Sequence, residues 1–275
     1  MINHTFKKKV RISGILEFET AFHIGSGKEG ELATDMGVLL EPDGRPILPG
    51  STLKGNFRSY AERLAEYLKI KACLLDNSLS NNVTCVNGVT DKDIRDKIYE
   101  ELKELKTESK KYNFIKKHVC QVCSLFGSPL HASRIFFSDG NLIHWSGGLQ
   151  VRDGVCIDRD SETARHGAKY DYEAVPCGTK FEITIDIENP ETFELAIIGA
   201  VMAEWENGFR LGGFSSRGMG KVQLSQTRIS EVDYTNSTQL KDFLLHKTMT
   251  SADTLLDDAL KKCLEEGDCH AEKVD

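Results

Sequence analysis

Cys120 and Cys123 form the strongest metal-binding signal in this 275-residue chain. The gap of two residues between them lets both thiolates reach one tetrahedral ion, and sulfur donors favour Zn²⁺. Two further ligands are required, and Cys73 and Cys85 are the preferred pair, with His118 as a substitute. A structural zinc would explain how a polar segment with few apolar residues folds. The alternative is a set of unrelated buried or surface thiols.

The segment 209–221 is a second candidate binding site, because it combines glycines with arginine and lysine. Glycine lets a backbone approach a ligand closely, and arginine can hold a phosphate through two hydrogen bonds. The segment has neither the G-x-G-x-x-G pattern of a dinucleotide site nor the Gly-Lys-Ser/Thr of a P-loop. It therefore indicates contact with a phosphate backbone, and a flexible surface turn is the alternative.

The third candidate is a helix predicted to begin after Pro49, with Ser51 as its N-cap. An apolar face follows at helical spacing and contains Leu53, Phe57, Tyr60, Ala61, Leu64, Ala65 and Leu68. Lys54 and Arg58 lie four residues apart and share another face. Free backbone N–H groups and these cations together suit a phosphate. An ordinary capped helix with a solvated basic face is the alternative.

Hydrophobic periodicity predicts the elements that must position these groups. Strands are predicted over 9–20, 134–139, 181–187 and 221–230, and helices over 51–68, 91–111 and 192–206. Two strand–helix–strand passes of this kind predict an α+β fold with an antiparallel sheet. Residues 152–177 have little periodicity and are interpreted as a long excursion, which in a compact protein is usually functional or mobile.

The predicted domain organisation has a core formed by residues 1–69 and 119–250. Residues 70–118 are interpreted as a helical insertion that shares the zinc site with residues 120–123. Residues 251–275 form an acidic C-terminal tail that is at best an amphipathic helix.

Composition is that of a soluble globular protein, with 40% apolar and 28% charged residues. No apolar run is long enough for a membrane span and no secretory segment is visible, so a cytoplasmic location and no membrane partner are expected. The formal net charge is −7, but residues 251–275 hold eight acids against three lysines and so account for −5 of it. The nearly neutral remainder could present a basic groove, so the total charge does not exclude RNA binding.

Five motifs in order resemble the RAMP superfamily, specifically the backbone subunits of type III CRISPR effector complexes of the Csm kind. The motifs are FHIGSG at 22–27, ILPGSTLKG at 47–55 followed by Arg58, CSLFGS at 123–128, IDRDS at 157–161 running on to EAVPCG at 173–178, and LGGFSSRGMG at 211–220. They extend over most of the chain, from about residue 8 to 225, and do not include the acidic tail.

The resemblance implies a modified ferredoxin-like (RRM-like) fold whose copies or paralogues stack with other effector subunits around a CRISPR guide RNA. A thumb hairpin at about 152–177 would wedge into the duplex between the guide and a single-stranded target RNA. The implied RNA-binding residues are His23, Ser51, Lys54, Arg58, Arg152, Arg159, Gly212, Gly213, Arg217, Gly218, Gly220 and Lys221.

The resemblance also implies that Asp35 is the catalytic residue of a target-cleaving endoribonuclease. The implied reaction is attack by a ribose 2′-OH on the adjacent phosphate, assisted by Mg²⁺ or Mn²⁺. The chain has Asp35-Met-Gly37 where members of the Csm kind often have Asp-Asn-Pro, a departure that concerns cleavage and not RNA binding. One alternative is a non-catalytic guide-RNA scaffold. Another is a guide-processing ribonuclease in which His23 would be the general base.

Overall fold

The computed structural model describes residues 5–27, 34–73, 85–89 and 91–266. Its strands are β1 (Lys8–Phe18), β2 (Ile135–Phe137), β3 (Asn141–His144), β4 (Gln150–Ile157), β5 (Ala164–Ala174), β6 (Lys180–Glu188), β7 (Phe209–Arg210), β8 (Lys221–Asp233) and β9 (Thr250–Ser251). Its helices are α1 (Gly50–Leu64), α2 (Lys92–Glu104), α3 (Glu108–His118), α4 (Gln121–Phe126), α5 (Thr192–Asn207), α6 (Ser237–His246) and α7 (Leu255–Glu266).

The main sheet is antiparallel and has the strand order β2–β6–β1–β8–β7, with β3 also paired to β6 and β9 to β8. Each long strand alternates buried and partly exposed side chains, because successive residues of a strand point to opposite faces. The predicted strands and the antiparallel α+β architecture are confirmed.

The buried faces of the strands pack against α1 and α5 to form one hydrophobic core. The core includes Val10, Ile12, Leu16 and Phe18 of β1, Phe181, Ile183, Ile185 and Ile187 of β6, Leu53, Phe57 and Ala61 of α1, and Ile198, Val201 and Trp205 of α5. Burying one large apolar side chain of this kind contributes about 1.5–3 kcal/mol. The core therefore fixes α1 and its flanking loops to the sheet.

The start of α1 differs from the prediction. The helix begins at Gly50, Pro49 is its N-cap, and no side chain of the cap residue closes it. The exposed Ser51 is not the cap. Instead, Asp139 Oδ1 accepts a hydrogen bond of 2.7 Å from the Gly50 backbone N–H. The Asp139 carboxylate, from a distant part of the chain, thus binds one of the N–H groups at the N-terminus of α1, where a phosphate was predicted to bind.

The insertion contains two helices where one was predicted over 91–111. Asp91 accepts hydrogen bonds from the first turn of α2, and Thr107 caps α3 in the same way. The backbone of Leu105 between them is extended, which ends α2. A new cap that follows so closely favours a restart over one long helix. The part of the insertion at 74–84 and 90 lies outside the described residues.

The residues of the long excursion predicted over 152–177 have regular structure. Most of them belong to the antiparallel hairpin of β4 and β5, which forms a two-stranded sheet of its own. The side chains of β4 are almost all exposed, so this hairpin projects from the core and has no buried face to generate periodicity. A projecting hairpin is therefore present at this position, and its first strand begins at Gln150.

Within the predicted tail, α7 packs against α5 and buries Leu256, Ala259 and Cys263. The close approach of the two helices occurs at Gly199, where an added Cβ would lie 2.9 Å from the Leu256 carbonyl oxygen. Residues 267–275 of the tail lie outside the described residues. Among the residues that are described, no helix combines the length and apolar character needed to cross a bilayer.

Candidate nucleic-acid interface and metal centre

Asp35 lies at the base of the β4–β5 hairpin, where its side chain is exposed. Its Oδ2 accepts a hydrogen bond of 2.9 Å from the Asp171 backbone N–H. The next residue, Met36, forms a parallel bridge to Tyr172 and donates its N–H to the Asp171 carbonyl at 3.2 Å. The loop that carries Asp35 is thus held along the end of β5.

Two further carboxylates lie near Asp35. Asp153 and Asp171 are directly opposite each other in the β4–β5 register. The hydrogen bond with the Asp153 carboxyl raises the pKa of Asp171, desolvation adds to this, and the negative charge of Asp35 has the same sign of effect. Lys169 Nζ lies 3.6 Å from Asp153 and offsets part of this charge, but the three carboxylates outnumber it, so a bound cation would be favoured here over a bare phosphate.

The fully buried Glu173 connects this loop to the rest of the site. Its Oε2 accepts a hydrogen bond of 3.0 Å from the Val38 N–H, and its own N–H donates to the Met36 carbonyl at 2.9 Å. The Glu173 carbonyl oxygen lies 2.8 Å from Nδ1 of His23. The His23 side chain is buried and packs edge-on against Tyr172 and Phe214, so it lies inside the junction rather than on its surface.

The glycine-rich loop closes over His23. The φ angle of Gly212 is +91°, and a Cβ there would lie 2.5 Å from the His23 carbonyl oxygen. Gly213 donates its N–H to the same oxygen at 2.8 Å. A Cβ at Gly220 would overlap the Leu211 carbonyl oxygen. These two φ-positive glycines are required by protein packing, whereas the sequence analysis attributed the glycines to ligand approach.

Arg217 in this loop is exposed and connects it to the hairpin. Its Nη1 donates to the Tyr170 hydroxyl at 2.6 Å, and its guanidinium lies over the Phe214 ring at 5.7 Å. Phe214 also stacks on Tyr172 with ring centroids 4.2 Å apart. A Cβ at Gly218 would meet no atom within 4 Å, so this end of the loop has open space beside it.

Arg152, Arg159 and Lys221 of the predicted RNA-binding set lie on the surface. Arg152 is exposed on β4 and donates to the Gln150 side chain at 3.1 Å. Arg159 is exposed in the turn that joins β4 to β5. Lys221 Nζ pairs with Glu19 at 2.5 Å at the start of β8. The structure thus distributes these cations over the hairpin and the start of β8.

Lys54 and Arg58 both have protein partners. Lys54 Nζ donates to Ser133 Oγ at 2.8 Å, and burial together with the charge of Arg58 lowers the pKa of Lys54. Arg58 Nε pairs with Glu62 at 2.8 Å, and its Nη2 donates to Cys123 Sγ at 3.1 Å. Contact with guide phosphates stays a prediction for both, and Arg58 would have to leave these partners to make it.

The four predicted cysteine ligands come together. The Sγ atoms of Cys73, Cys85, Cys120 and Cys123 all lie within 4.8 Å of one another, and all four residues are buried. The N-terminal cap of α4 positions two of them, since Cys120 Sγ accepts from the Cys123 N–H at 3.4 Å. This is the donor set of a tetrahedral structural zinc site.

Hydrogen bonds among the four thiols shift their pKa values in opposite directions. Bonds to Cys120 and Cys123 lower the pKa of Cys85, and the bond to Cys123 lowers that of Cys120. The bonds to Cys120 raise the pKa of Cys73 and that of Cys123. The four sulfurs therefore titrate as one interacting group rather than as independent thiols.

The substitute ligand His118 is engaged elsewhere. Its Nδ1 lies 2.9 Å from the Phe114 carbonyl oxygen and its ring stacks on Phe114 at 4.2 Å. Within the part of the chain that the structure describes, the metal-ligand cluster contains the four cysteines and no histidine.

Sequence reasoning missed several residues that shape the site. Asp139 was included in a predicted strand but not connected to α1, and Asp153 and Asp171 lay inside the segment interpreted as an excursion. Glu173 was noted only as part of a motif. The alternation of Tyr170, Tyr172 and Ala174 was the one available signal for β5.

Comparison with known proteins gives the family. A sequence model described as the RAMP superfamily matches residues 15–223, which is more than half of the chain. The chain belongs to the RAMP superfamily. The RAMP match extends from within β1 to the start of β8 and thus includes the Asp35 loop, the cysteines at 73–123, the hairpin and the glycine-rich loop.

Two curated relatives of this RAMP chain carry the name CRISPR system Cms endoribonuclease Csm3. The protein from Methanocaldococcus jannaschii is 28% identical over 250 residues, which cover 83% of this chain and 84% of the relative. The protein from Methanothermobacter thermautotrophicus is 24% identical over 256 residues, which cover 82% of this chain and 87% of the relative. The resemblance found in the motifs is therefore confirmed.

Proposed function

We propose that this chain is a guide-RNA-binding backbone subunit of a type III CRISPR effector complex and that Asp35 cleaves target RNA. The similarity to relatives named Csm3 endoribonuclease supports the subunit assignment. The expected partners are a CRISPR guide RNA, a single-stranded target RNA and other effector subunits, including copies or paralogues of this chain.

The position of Asp35 is the main observation in support of a catalytic role. Its carboxylate is exposed at the base of a projecting hairpin, and the Asp171 N–H fixes one of its oxygens. A hairpin that wedges into a guide–target duplex would splay the target strand at its base. The reacting phosphate would then lie beside a carboxylate whose orientation is already set, which avoids an entropic cost at the moment of reaction.

The donors at the hairpin base fit a hard divalent cation. Mg²⁺ and Mn²⁺ prefer carboxylate oxygens and complete their coordination with waters and substrate phosphates. Asp35 is the proposed protein ligand, and the nearby Asp153 and Asp171 add negative charge. When bound, such an ion would neutralise charge on the scissile phosphate. Asp35 itself would either hold the ion or accept the proton of the ribose 2′-OH.

Replacing Asp35 in the assembled complex tests the catalytic role. Asp35→Ala should abolish target cleavage at the positions that this subunit serves while guide loading and target binding stay unchanged. Asp43→Ala is the matched control, because Asp43 is an exposed aspartate in the same region that pairs only with Arg45 in the contacts observed. Unchanged cleavage by Asp35→Ala would leave the non-catalytic guide-RNA scaffold as the function.

We further propose that the fold is of the ferredoxin-like type. Read from β8 through β1 and β6 to β2, the sheet has the order expected for a β-α-β-β-α-β unit in which α1 and α5 are the connecting helices. In this interpretation the hairpin of β4 and β5 is the thumb, residues 70–118 are an insertion and residues 251–275 are an appended tail.

The cysteine cluster is proposed to hold one structural Zn²⁺. Four buried sulfur donors within 4.8 Å suit the tetrahedral geometry and soft-ligand preference of zinc. The ion would join the first part of the insertion, which supplies Cys73 and Cys85, to the start of α4, which supplies Cys120 and Cys123. Such a link would stabilise a region in which α2 buries no side chain.

A further inference from the structure

A groove between α1 and the β7–β8 edge extends from the 209–221 segment onto a face of α1 that no predicted RNA-binding residue occupies. It has a volume of about 460 Å³ and is lined by Asn56, Tyr60, Arg63, Gly208, Phe209, Arg210 and Lys221. The lining residues that the structure describes include three basic side chains and no carboxylate. This charge pattern suits an anionic ligand.

Hydrogen bonds and ring stacking hold the floor of the groove in a fixed arrangement. Asn56 Oδ1 accepts from the Trp205 indole N–H at 3.1 Å, and Asn56 Nδ2 donates to the Arg210 carbonyl at 3.0 Å. Phe209 stacks on Trp205 with ring centroids 4.4 Å apart and planes inclined by 6°. A single amide side chain thus joins α1, α5 and β7, so the backbone that carries Arg210 is held at a fixed distance from the helix.

The rim of the groove carries cations that remain accessible. Arg63 and Arg210 are both exposed. The Arg63 guanidinium lies 4.3 Å from the centroid of the Tyr60 ring, which orients it across the helix surface. Lys221 on the other side pairs with Glu19. The two arginines therefore supply most of the unneutralised positive charge.

The groove is also continuous with the glycine-rich loop. Arg210 is the last residue of β7, and the loop that includes Gly212 and Gly218 follows it directly. A strand that passed along the open side of Gly218 could continue between Arg210 and Arg63. Positive grooves with an adjacent aromatic or guanidinium plane are typical of proteins that bind single-stranded nucleic acids without sequence preference.

We propose that this groove binds the phosphodiester backbone of a single RNA strand, with Arg63 and Arg210 contacting phosphates and the Arg63–Tyr60 stack supporting a base. The inference rests on the proposed function, because it extends the path of the same RNA beyond the glycine-rich loop. It adds Asn56, Tyr60 and Arg63 of α1 to the RNA-binding surface, gives Arg210 a specific place in it, and assigns Asn56 a positioning role.

The test uses the full-length chain and a fluorescein-labelled oligouridylate in a salt titration. Arg63→Ala combined with Arg210→Ala should weaken binding roughly tenfold at low salt and reduce the slope of log K against log salt by about 1.4, since each lost phosphate contact to a single strand removes about 0.7. The matched control is Arg228→Ala combined with Lys241→Ala, which removes the same charge from exposed positions elsewhere. The control should retain the wild-type slope.

Crosslinking supplies a second measurement. RNA containing 4-thiouridine should crosslink to peptides that contain residues 56–63 or 208–210. Equal affinity and slope in the arginine variant, or crosslinks confined to other peptides, would overturn the groove proposal while leaving the proposed function intact. If the wild-type chain fails to bind RNA both alone and in the assembled complex, the proposed function and this inference fail together. Binding of an acidic peptide in place of RNA would make the groove a protein contact and refute the proposal.

Discussion

Arg58 donates a hydrogen bond of 3.1 Å to Cys123 Sγ, so a cation on α1 lies directly against the cysteine cluster. The Asn87 side chain approaches the same sulfur at 3.5 Å. Burial lowers the pKa of Arg58, but the bond to Glu62 and the Cys123 sulfur outweigh it, so the guanidinium stays charged. Arg58, which was predicted to bind phosphate, is therefore placed where it can stabilise a metal-ligating thiolate at Cys123.

Replacing Arg58 should weaken metal binding. Arg58→Ala removes a charge-assisted hydrogen bond to a ligand sulfur, and loss of such an outer contact typically costs 10- to 100-fold in metal affinity, or about 1.4–2.7 kcal/mol. Competition with a chromogenic zinc chelator measures the change, and Arg45→Ala is the control because Arg45 is an exposed arginine paired to Asp43. Unaltered zinc affinity together with weaker guide binding would instead support the phosphate role.

Replacing one cysteine should remove the metal and lower stability. Elemental analysis of the purified chain should find about one equivalent of zinc. Cys120→Ser should reduce this content and lower Tm, because a structural zinc contributes folding free energy. Cys156→Ser is the control, since Cys156 is an exposed free thiol. A metal-free wild-type chain with the same Tm before and after chelation would rule out the zinc site.

Gly212 and Gly218 offer a matched pair in the glycine-rich loop, because their φ angles are +91° and +90°. Gly212→Ala places a Cβ 2.5 Å from the His23 carbonyl oxygen and should cost about 2–4 kcal/mol. Gly218→Ala meets no atom within 4 Å and should cost about 1 kcal/mol from backbone strain alone. Urea unfolding of both variants measures the difference. Equal losses would show that the contact at His23 does not constrain the loop.

Asp186 should contribute to the stability of the sheet in a pH-dependent manner. Arg11 pairs with both carboxylate oxygens at 2.7 and 2.9 Å, and Lys9 lies 3.2 Å away. Burial raises the pKa of Asp186, but these cations outweigh it and the folded-state pKa is lowered. Because the pKa is depressed on folding, the stabilisation is present above the unfolded-state pKa of about 3.9 and is lost as the pH falls through the folded-state pKa.

Asp186→Asn should therefore cost about 1 kcal/mol at pH 7, a value kept small because Arg11 is partly exposed. The difference from the wild type should shrink as the pH is lowered below about 4. Urea unfolding at a series of pH values measures this, with Asp43→Asn at an exposed ion pair as the control. A destabilisation that did not vary with pH would mean that packing, and not the ion pair, accounts for the effect.

Much of the fold could be predicted because its signals are local. The alternation along β1 and β6 and the helical spacing of Leu53, Phe57 and Ala61 each depend on backbone geometry within a few residues. The hairpin of β4 and β5 could not be predicted in the same way, since it projects from the core and its β4 side chains are almost all exposed. Without one buried face, a strand has no apolar alternation to detect.

The candidate site likewise contains residues with a local sequence signal and residues brought together only by long-range contacts. The two-residue gap by itself predicted that Cys120 and Cys123 share one centre, but Cys73 and Cys85 were only the preferred partners, with His118 as a substitute. The folded structure brings the four cysteines together and directs His118 to the Phe114 carbonyl. Long-range contacts place Asp139 at the start of α1, Arg58 against Cys123 and the Asp171 N–H on the Asp35 carboxylate, and none of these contacts could be predicted from local sequence. These partners are 89, 65 and 136 residues apart, and packing of the core, not local backbone preference, brings them within hydrogen-bond distance.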